Sequence, residues 1–317
     1  MECAQRNGSV VGWAGRKLET KRTAVRPRPG ALRCDNKGMS SAPASTSAAP
    51  PLRLLAIETS TDRLSVAVGH GATDSGAVAH DGPGAAQSSA TLLPVVGDLL
   101  AQRGWALPEL DAIVFARGPG SFTGLRTACA IAQGLAYGAQ HPGRPGGIPV
   151  LPVDTLLALA EEARWQREQE GAPVARVIVA MLDARMSEMY VAVYAANRDG
   201  VVAEPLQSPR LCAPGDLATF LEEIPEADAG VLLAGNVFDV YAAELADVAG
   251  DRQAALPTAQ ALLRLAPALL AMGHAVAAHE AMPLYVRDKV AKTTDEREQL
   301  RLAQRAVDAL PGTTASA

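Results

Sequence analysis

"LRLLAIETSTDRLSVAVGHG", residues 52–71, has a counterpart of the same design later in the chain: "ARVIVAMLDARMSEMYVAVYAA", residues 175–196. In the first stretch, an apolar run from Leu54 to Ile57 meets the polar turn "ETSTDR", and a second run follows from Leu64 to Val68. In the second stretch, an apolar run meets an acidic turn at Asp183, and an alternating strand follows from Glu188 to Tyr194. Short apolar runs bounded by polar turns predict strands. Strand, acidic turn, strand at the head of each half reads as an internal duplication, giving two related α/β lobes that face each other.

Between and after these stretches the pattern alternates. "QSSATLLPVVGDLLAQRGW" (87–105) predicts a helix with Leu92, Val95, Val96, Leu99 and Leu100 on one side. Pro94 fits its first turn, where no amide is missed. "LDAIVFA" (110–116) predicts a strand, "LRTACAIAQGLAYG" (125–138) a helix, "GGIPVLPV" (146–153) a short strand and "DTLLALAEEARWQ" (154–166) a helix. "AGVLLAGN" (229–236) is a later strand, and "TAQALLRLAPALLAMGHAVAA" (258–278) a long helical segment in which Pro267 predicts a kink or a break. The reading divides the chain at 1–52 (extension and linker), 53–155 (N-terminal lobe), 156–257 (C-terminal lobe), 258–290 (a helical segment returning to the first lobe) and 291–317 (a polar tail, with a short helix near 295–308).

The 317 residues are 48% hydrophobic and 20% charged, enough for two modest lobes with real cores. A formal charge of −5 argues against gripping nucleic acid by bulk charge. Cys3, Cys34, Cys129 and Cys212 form no CxxC and no metal-like spacing, which fits a reducing compartment such as the cytoplasm. Cys129 stands in an apolar helical run and is expected to be buried. Gly, Arg or Pro breaks every apolar run before about 18 residues, so no membrane span is expected. In the first fifty residues, nine basic residues (Arg6, Arg16, Lys17, Lys21, Arg22, Arg26, Arg28, Arg33, Lys37) face three acids (Glu2, Glu19, Asp35), a local charge of +6. "SSAPASTSAAPP" (40–51) follows as a low-complexity linker. Three readings fit: a disordered tail, a start placed upstream of Met39, or a targeting or nucleic-acid-binding arm.

"FARGPGSFTGLRTACAIAQGLAYG" (115–138) has the ingredients of a ligand loop. Strand, Gly-rich turn and helix can aim free amides at an anion. A P-loop needs Lys and then Ser or Thr after its last Gly, whereas Leu125 and Arg126 follow Gly124. A dinucleotide fingerprint needs an acid at the end of the next strand, and Asp154 comes too late. The alternative is close packing: Thr123 caps the helix, and Gly124, Ala128, Ala132 and Ala136 form a small-residue stripe at i+4 spacing. That stripe admits another element, from the same chain or a partner. Arg126, in the first turn where the helix dipole disfavours a cation, is expected to bind a carboxylate or a backbone carbonyl. Glu58, Asp62 and Asp183 either hold a metal-nucleotide between the lobes or cap turns and pair with Arg63 and Arg185. His70, His80, His141, His274 and His279 form no HExxH, and no G-x-S-x-G elbow surrounds Ser121.

Taken together, "LLAIETSTDRLSVAV", "ARGPGSFTGLRTACAIAQGLAYG", "LDARMSEMYVAVY" and "EAMPLYVRD" resemble the bacterial TsaB (YeaZ) family over roughly residues 53–290, in the same order. Gly118, Pro119, Gly120, Ser121, Phe122, Thr123, Gly124 and Arg126 match the family signature, as do Asp183, Arg185, Glu188 and Tyr190. The resemblance implies the actin-like/Hsp70-like ATPase (ASKHA) fold in two lobes. It implies a non-catalytic accessory subunit that binds and activates TsaD, the subunit that transfers a threonylcarbamoyl group to N6 of adenosine 37 in tRNAs reading codons that begin with A. A TsaE-like ATPase joins through the TsaD complex, and isolated members form homodimers. ATP, Mg²⁺ and the metal ion then belong to partner subunits, this chain binds no cofactor alone, and its tRNA contact is indirect or weak. A histidine often precedes the "S-x-x-L-L-P" helix, and in the catalytic relative histidines there bind metal. Ser88 takes that place here, which favours a non-enzyme. The resemblance assigns docking to the helices of the first lobe, and on that reading Leu92, Val95, Val96, Leu99, Gly124, Ala128, Ala132 and Ala136 are the expected partner residues. A bulky charge at Ala132 should then weaken docking and spare the fold. The competing reading is a kinase-like or glycoprotease-like enzyme using a cleft near Glu58 and Asp183.

Overall fold

The computed structural model describes residues 50–71, 76–84, 88–173, 175–224 and 230–287. The basic extension and the whole of the expected polar tail, with its helix near 295–308, lie outside the described residues. β1 (Leu54–Glu58) is buried along its whole length because it is the middle strand of a five-stranded sheet. It pairs antiparallel with β2 (Arg63–Gly69), and β2 with β3 (Val78–Pro83). On its other side it runs parallel to β4 (Ala112–Gly118), which runs parallel to β5 (Val150–Asp154). The order is β3-β2-β1-β4-β5.

The second half repeats this wiring. β6 (Val177–Asp183) pairs antiparallel with β7 (Met189–Asn197) and parallel with β10 (Val231–Gly235), which runs parallel to β11 (Asp251–Ala254). β9 (Gln207–Cys212) pairs antiparallel with β7, as does the two-residue β8 (Gly200–Val201). The succession β9-β7-β6-β10-β11 therefore matches β3-β2-β1-β4-β5 in order and direction. The duplication expected from the two opening stretches is a property of the fold, which has two sheet-bearing lobes.

Residue alternation along the strands sorts the core into layers. Leu55, Ile57, Val66, Val68, Ile113 and Phe115 of the first sheet face α1 (Ser88–Arg103) and α2 (Phe122–Gly138). Leu54, Ala56, Ala67, Val114 and Ala116 face the opposite way, onto α3 (Thr155–Gln169) and α5 (Ala259–Ala271), which lie between the sheets. Alanines there let the helices sit close. The far face of the second sheet carries Val179, Met181, Val191 and Val193 against α4 (Leu217–Glu222) and Val237, Tyr241 and Leu245. Strands buried on both faces read as continuous apolar runs, which is why β1, β4 and β6 were visible in the sequence.

Two prolines behave differently from expectation. Pro94 lies well inside α1, not in its first turn, and is exposed, as is Ala90, whose carbonyl loses its helical donor and can turn to water. Of the kink or break expected at Pro267, the break does not occur: α5 runs on through it, and its ring packs where Gly71 has no side chain, a Cβ there lying 2.6 Å from the Pro267 Cγ. The helix ends instead at Ala271, and Val276 then bridges to Val150 of β5. No helix among the described residues is long and apolar enough to cross a membrane.

α3 and α5 are joined by a buried charge network. The Arg264 guanidinium donates to Glu161 at 3.0 Å and to Glu162 at 2.5 Å, and Arg164 donates to Glu161 at 2.8 and 2.9 Å. Thr258 donates to Glu162 at 2.8 Å, and Arg264 also lies over the Trp165 ring. Removing one partner of such a network leaves a buried charge uncompensated. Arg264→Met should therefore lower unfolding stability by about 3 kcal/mol in chemical denaturation.

Candidate functional site

The Gly-rich loop between β4 and α2 is held against the β1–β2 turn by backbone contact. The Ser121 amide donates to the Ser60 carbonyl at 2.7 Å, and the Thr59 hydroxyl donates to the Gly124 carbonyl at 2.8 Å. A Cβ on Gly120 would lie 2.5 Å from the Ser60 oxygen, and one on Gly124 only 1.8 Å from the Thr59 oxygen. The two glycines are thus required by close approach within the chain. Besides Ser121, the Gly124 amide reaches the Ser121 hydroxyl at 3.5 Å, and the Leu125 amide makes the first intrahelical bond, to the Ser121 carbonyl at 2.9 Å. Ser121, in extended backbone conformation, is the N-cap. Thr123 lies one step inside the helix, where its carbonyl accepts from Thr127, so it does not cap.

Across from this loop, the β6–β7 turn brings the second signature stretch to the same cleft, of about 550 Å³, whose lining includes Ser60, Gly120, Ser121, Asp183, Arg185 and Tyr190. The family signature, split over two distant stretches of sequence, is one surface in space. Of the three expected acids, Asp62 is exposed on the cleft lining, Asp183 is engaged, and Glu58 is buried and engaged through one oxygen. Asp183 accepts from the Arg185 amide at 2.9 Å and from the Tyr241 hydroxyl at 2.8 Å, and forms an ion pair with Arg185 at 3.3 Å. Burial, and then that carboxylate, push the Tyr241 hydroxyl up to about 12. Glu58 is buried and accepts the Ser60 amide at 2.5 Å. Burial pushes its carboxyl up to about 7, a rise only partly offset by hydrogen bonds from Ser60. Of the two readings of these acids, turn capping and pairing with Arg185 is the one seen for Glu58 and Asp183. Arg185, Met186 and Ser187 all have left-handed backbone conformations, at φ 62°, 58° and 58°, each costing about 1–2 kcal/mol.

The expected partner residues are turned inward. Leu92, Val96, Leu99, Ala128, Ala132 and Ala136 are buried against the first sheet, Gly124 against Thr59, and Val95 is half-buried. The small stripe meets its own lobe, because the sheet's Leu, Ile and Phe side chains fill the space below it. A charge at Ala132, which has 0% exposure, would unfold the lobe. The opposite faces of the same helices are exposed: mostly apolar or glycine on α2, and on α1 a mixture of Leu93, Pro94 and Gly97 with Thr91, Asp98 and Gln102. Leu93 is 50% and Tyr137 67% exposed, and Gly97, Gly134 and Gly138 have open space where a side chain would be. α2 carries one charged residue, Arg126, in 17. Arg126 binds neither carboxylate nor carbonyl: its Nε donates to the Tyr285 hydroxyl at 3.0 Å, and its guanidinium lies over Phe122 and Tyr285. Cys129 is buried and its thiol points at the Ala281 carbonyl, 3.3 Å away. Among the described residues, no three His, Cys, Asp or Glu are grouped to hold a metal ion.

A family model described as "TsaD: tRNA N6-adenosine threonylcarbamoyltransferase" matches residues 84–294. The Escherichia coli protein named tRNA threonylcarbamoyladenosine biosynthesis protein TsaB is 31% identical over 240 residues, 76% of this chain and 96% of that protein. The chain belongs to the TsaB (YeaZ) family. A Haemophilus influenzae protein of the same name is 31% identical over 248 residues, 75% of this chain and 95% of that one. The structure of YeaZ from Pseudomonas aeruginosa superposes with a TM-score of 0.62 at 34% identity, covering 74% of this chain and 99% of that one. Three of the four stretches quoted for the resemblance lie within residues 84–294, and the first, residues 54–68, forms β1 and β2.

Two outcomes follow from the site's packing. Gly124→Ala should destabilise the chain by at least about 3 kcal/mol, since neither backbone can yield, whereas Gly134→Ala should stabilise it by about 0.4–1 kcal/mol in the same melts. Glu58 is raised in the folded state, so its stabilising contribution is complete below the ordinary carboxylate range and is lost as pH rises to about 7. Glu58→Gln should therefore match the parent near pH 4 and exceed it by about 3 kcal/mol at pH 8.

Proposed function

We propose that this chain is the non-catalytic accessory subunit that docks on and activates a TsaD-like transferase, for threonylcarbamoyl transfer to N6 of adenosine 37 in tRNAs reading codons that begin with A. The observation that carries the reading is the outward face of α2, where Ala130, Gly134, Tyr137 and Gly138 are exposed and Arg126 is the helix's one charge, continued on α1 by Leu93, Pro94 and Gly97 among polar neighbours. Partner interfaces are depleted in charge at their centre, and small residues permit close helix approach. Isolated copies pair through the same face as homodimers. A TsaE-like ATPase joins through the TsaD complex. ATP, Mg²⁺ and the metal ion are held by the partner subunits, tRNA contact is indirect or weak, and the site of action is the cytoplasm.

The repeated strand order, with helices between and outside the two sheets, supports the actin-like/Hsp70-like ATPase (ASKHA) fold. We place its lobes at 53–155 and 156–257, with 258–290 returning to the first. Kinase-like or glycoprotease-like chemistry at Glu58 and Asp183 is disfavoured, because one acid is held near pKa 7 and the other is locked to Tyr241 and Arg185.

The test is reconstitution of tRNA modification with TsaD, TsaE, the adenylate-forming enzyme, ATP, threonine and bicarbonate, with and without this chain and with residues 1–38 removed. Modification should require the chain and survive the truncation. Transfer that proceeds equally without it overturns the assignment. Gly134→Arg should leave the melting curve within about 2 °C of the parent, while weakening TsaD binding at least tenfold in calorimetry. Undiminished binding would move the docking face elsewhere.

A further inference from the structure

After α5 the chain passes α2, where the Ala281 carbonyl accepts from Gln133 at 3.0 Å, and then runs extended along the edge of the cleft. Alternate residues face alternate ways, as extended backbone requires. Leu284 and Val286 point to one side, into a hollow floored by Leu157 and Leu269, and Val286 packs on the core between the sheets. Tyr285 and Arg287 point to the other side. Tyr285 stacks on Phe122 of the first lobe, with ring centres 5.2 Å apart, and its hydroxyl accepts from Arg126. The Leu284 amide donates to the Arg117 carbonyl at 2.7 Å, and Gly118 has no room for a side chain because the Leu284 carbonyl lies against it. Two residues further on, Arg287 belongs to the second lobe. Its side chain is 9% exposed, forms an ion pair with Glu188, donates to the Arg185 carbonyl at 3.4 Å and meets the Met186 sulfur at 3.2 Å.

We propose that residues 284–287 form a clip that fastens the two lobes at the mouth of their cleft and fixes its opening, with Arg287 as the positioning residue for the β6–β7 turn. That turn carries three successive left-handed side-chain residues, a conformation that persists only where its surroundings over-determine it. Arg287 is the group that touches Arg185, Met186 and Glu188 together. Tyr285 anchors the same segment to the first turn of α2, so a change at either lobe is felt at the other. The Glu161–Glu162–Arg264 network fastens the lobes at a second place, between the sheets. Two fastenings at separate places remove the hinge freedom that one would leave.

The experiment is amide hydrogen exchange on the full chain, comparing the parent with Arg287→Met and Tyr285→Ala. Each substitution should speed exchange at least tenfold in both 118–126 and 184–190, while the central strands β1 and β6 keep their protection. If Arg287→Met loosens only 184–190 and Tyr285→Ala only 118–126, the contacts are local and the clip is refuted. Should Arg287→Met unfold the chain, Arg287→Lys keeps the charge without the planar fork. A graded rise in both segments then supports the clip, and a rise in one alone refutes it.

Discussion

The rest of the structure depends on one close approach, the packing of the α2 entry loop on the β1–β2 turn. Gly124 lies so near the Thr59 carbonyl that no side chain fits between them, and Gly120 meets Ser60 in the same way. This contact sets how α2 lies on the sheet, and therefore which face of the helix is buried. It also takes up part of what a phosphate would need. An anion site at a helix start works because its amides are free. Here Ser121, Gly124 and Leu125 give theirs to Ser60 and Ser121. A loop with the composition of a ligand cradle has become a weld within the lobe.

That contact also explains the direction of the small-residue stripe. An i+4 spacing shows that four residues share a face, but not which way the face turns. With the glycine pinned to the turn, Ala128, Ala132 and Ala136 meet Ile113 and Phe115, and the outward positions fall to Ala130, Gly134 and Tyr137. A readable signal for those positions was present. Glycine in a helix interior costs about 0.5–1 kcal/mol relative to alanine. Gly134 stands in mid-helix with open space around it, so nothing within the lobe accounts for that cost.

The central strands and the duplicated wiring were legible because both faces of those strands are buried, so hydrophobicity alone marks them. The edges were not. β3 reads "VAHDGP" and is exposed along most of its length, and β11 reads "DRQA". Their backbone pairing, with little side-chain burial, makes them strands, and composition does not record it. α4 is six residues long, too short for a helical period to show. The Arg264 network escaped for a related reason: Glu161, Glu162 and Arg164 look like an ordinary solvated helix face until α5, nearly a hundred residues later, brings the matching guanidinium.

A metal-nucleotide site needs ionised carboxylates with free lone pairs and donors that can turn to a ligand. Asp62 is exposed at the cleft, but around it Glu58 is buried and held toward its neutral form, Asp183 is shared between Tyr241 and Arg185, and Arg287 is committed to Glu188, so these three groups are not free for a ligand. Each group has the residue type that the chemistry would ask for, and each is turned to holding the frame together. The same commitments make the chain stiff. A stiff frame suits a subunit that acts by positioning, because a displacement of about 1 Å in a neighbour's active site costs on the order of a hundredfold in rate. The interior is then committed to holding the frame, and the outer face of α2, exposed and carrying one charge, has no such commitment to the lobe beneath it.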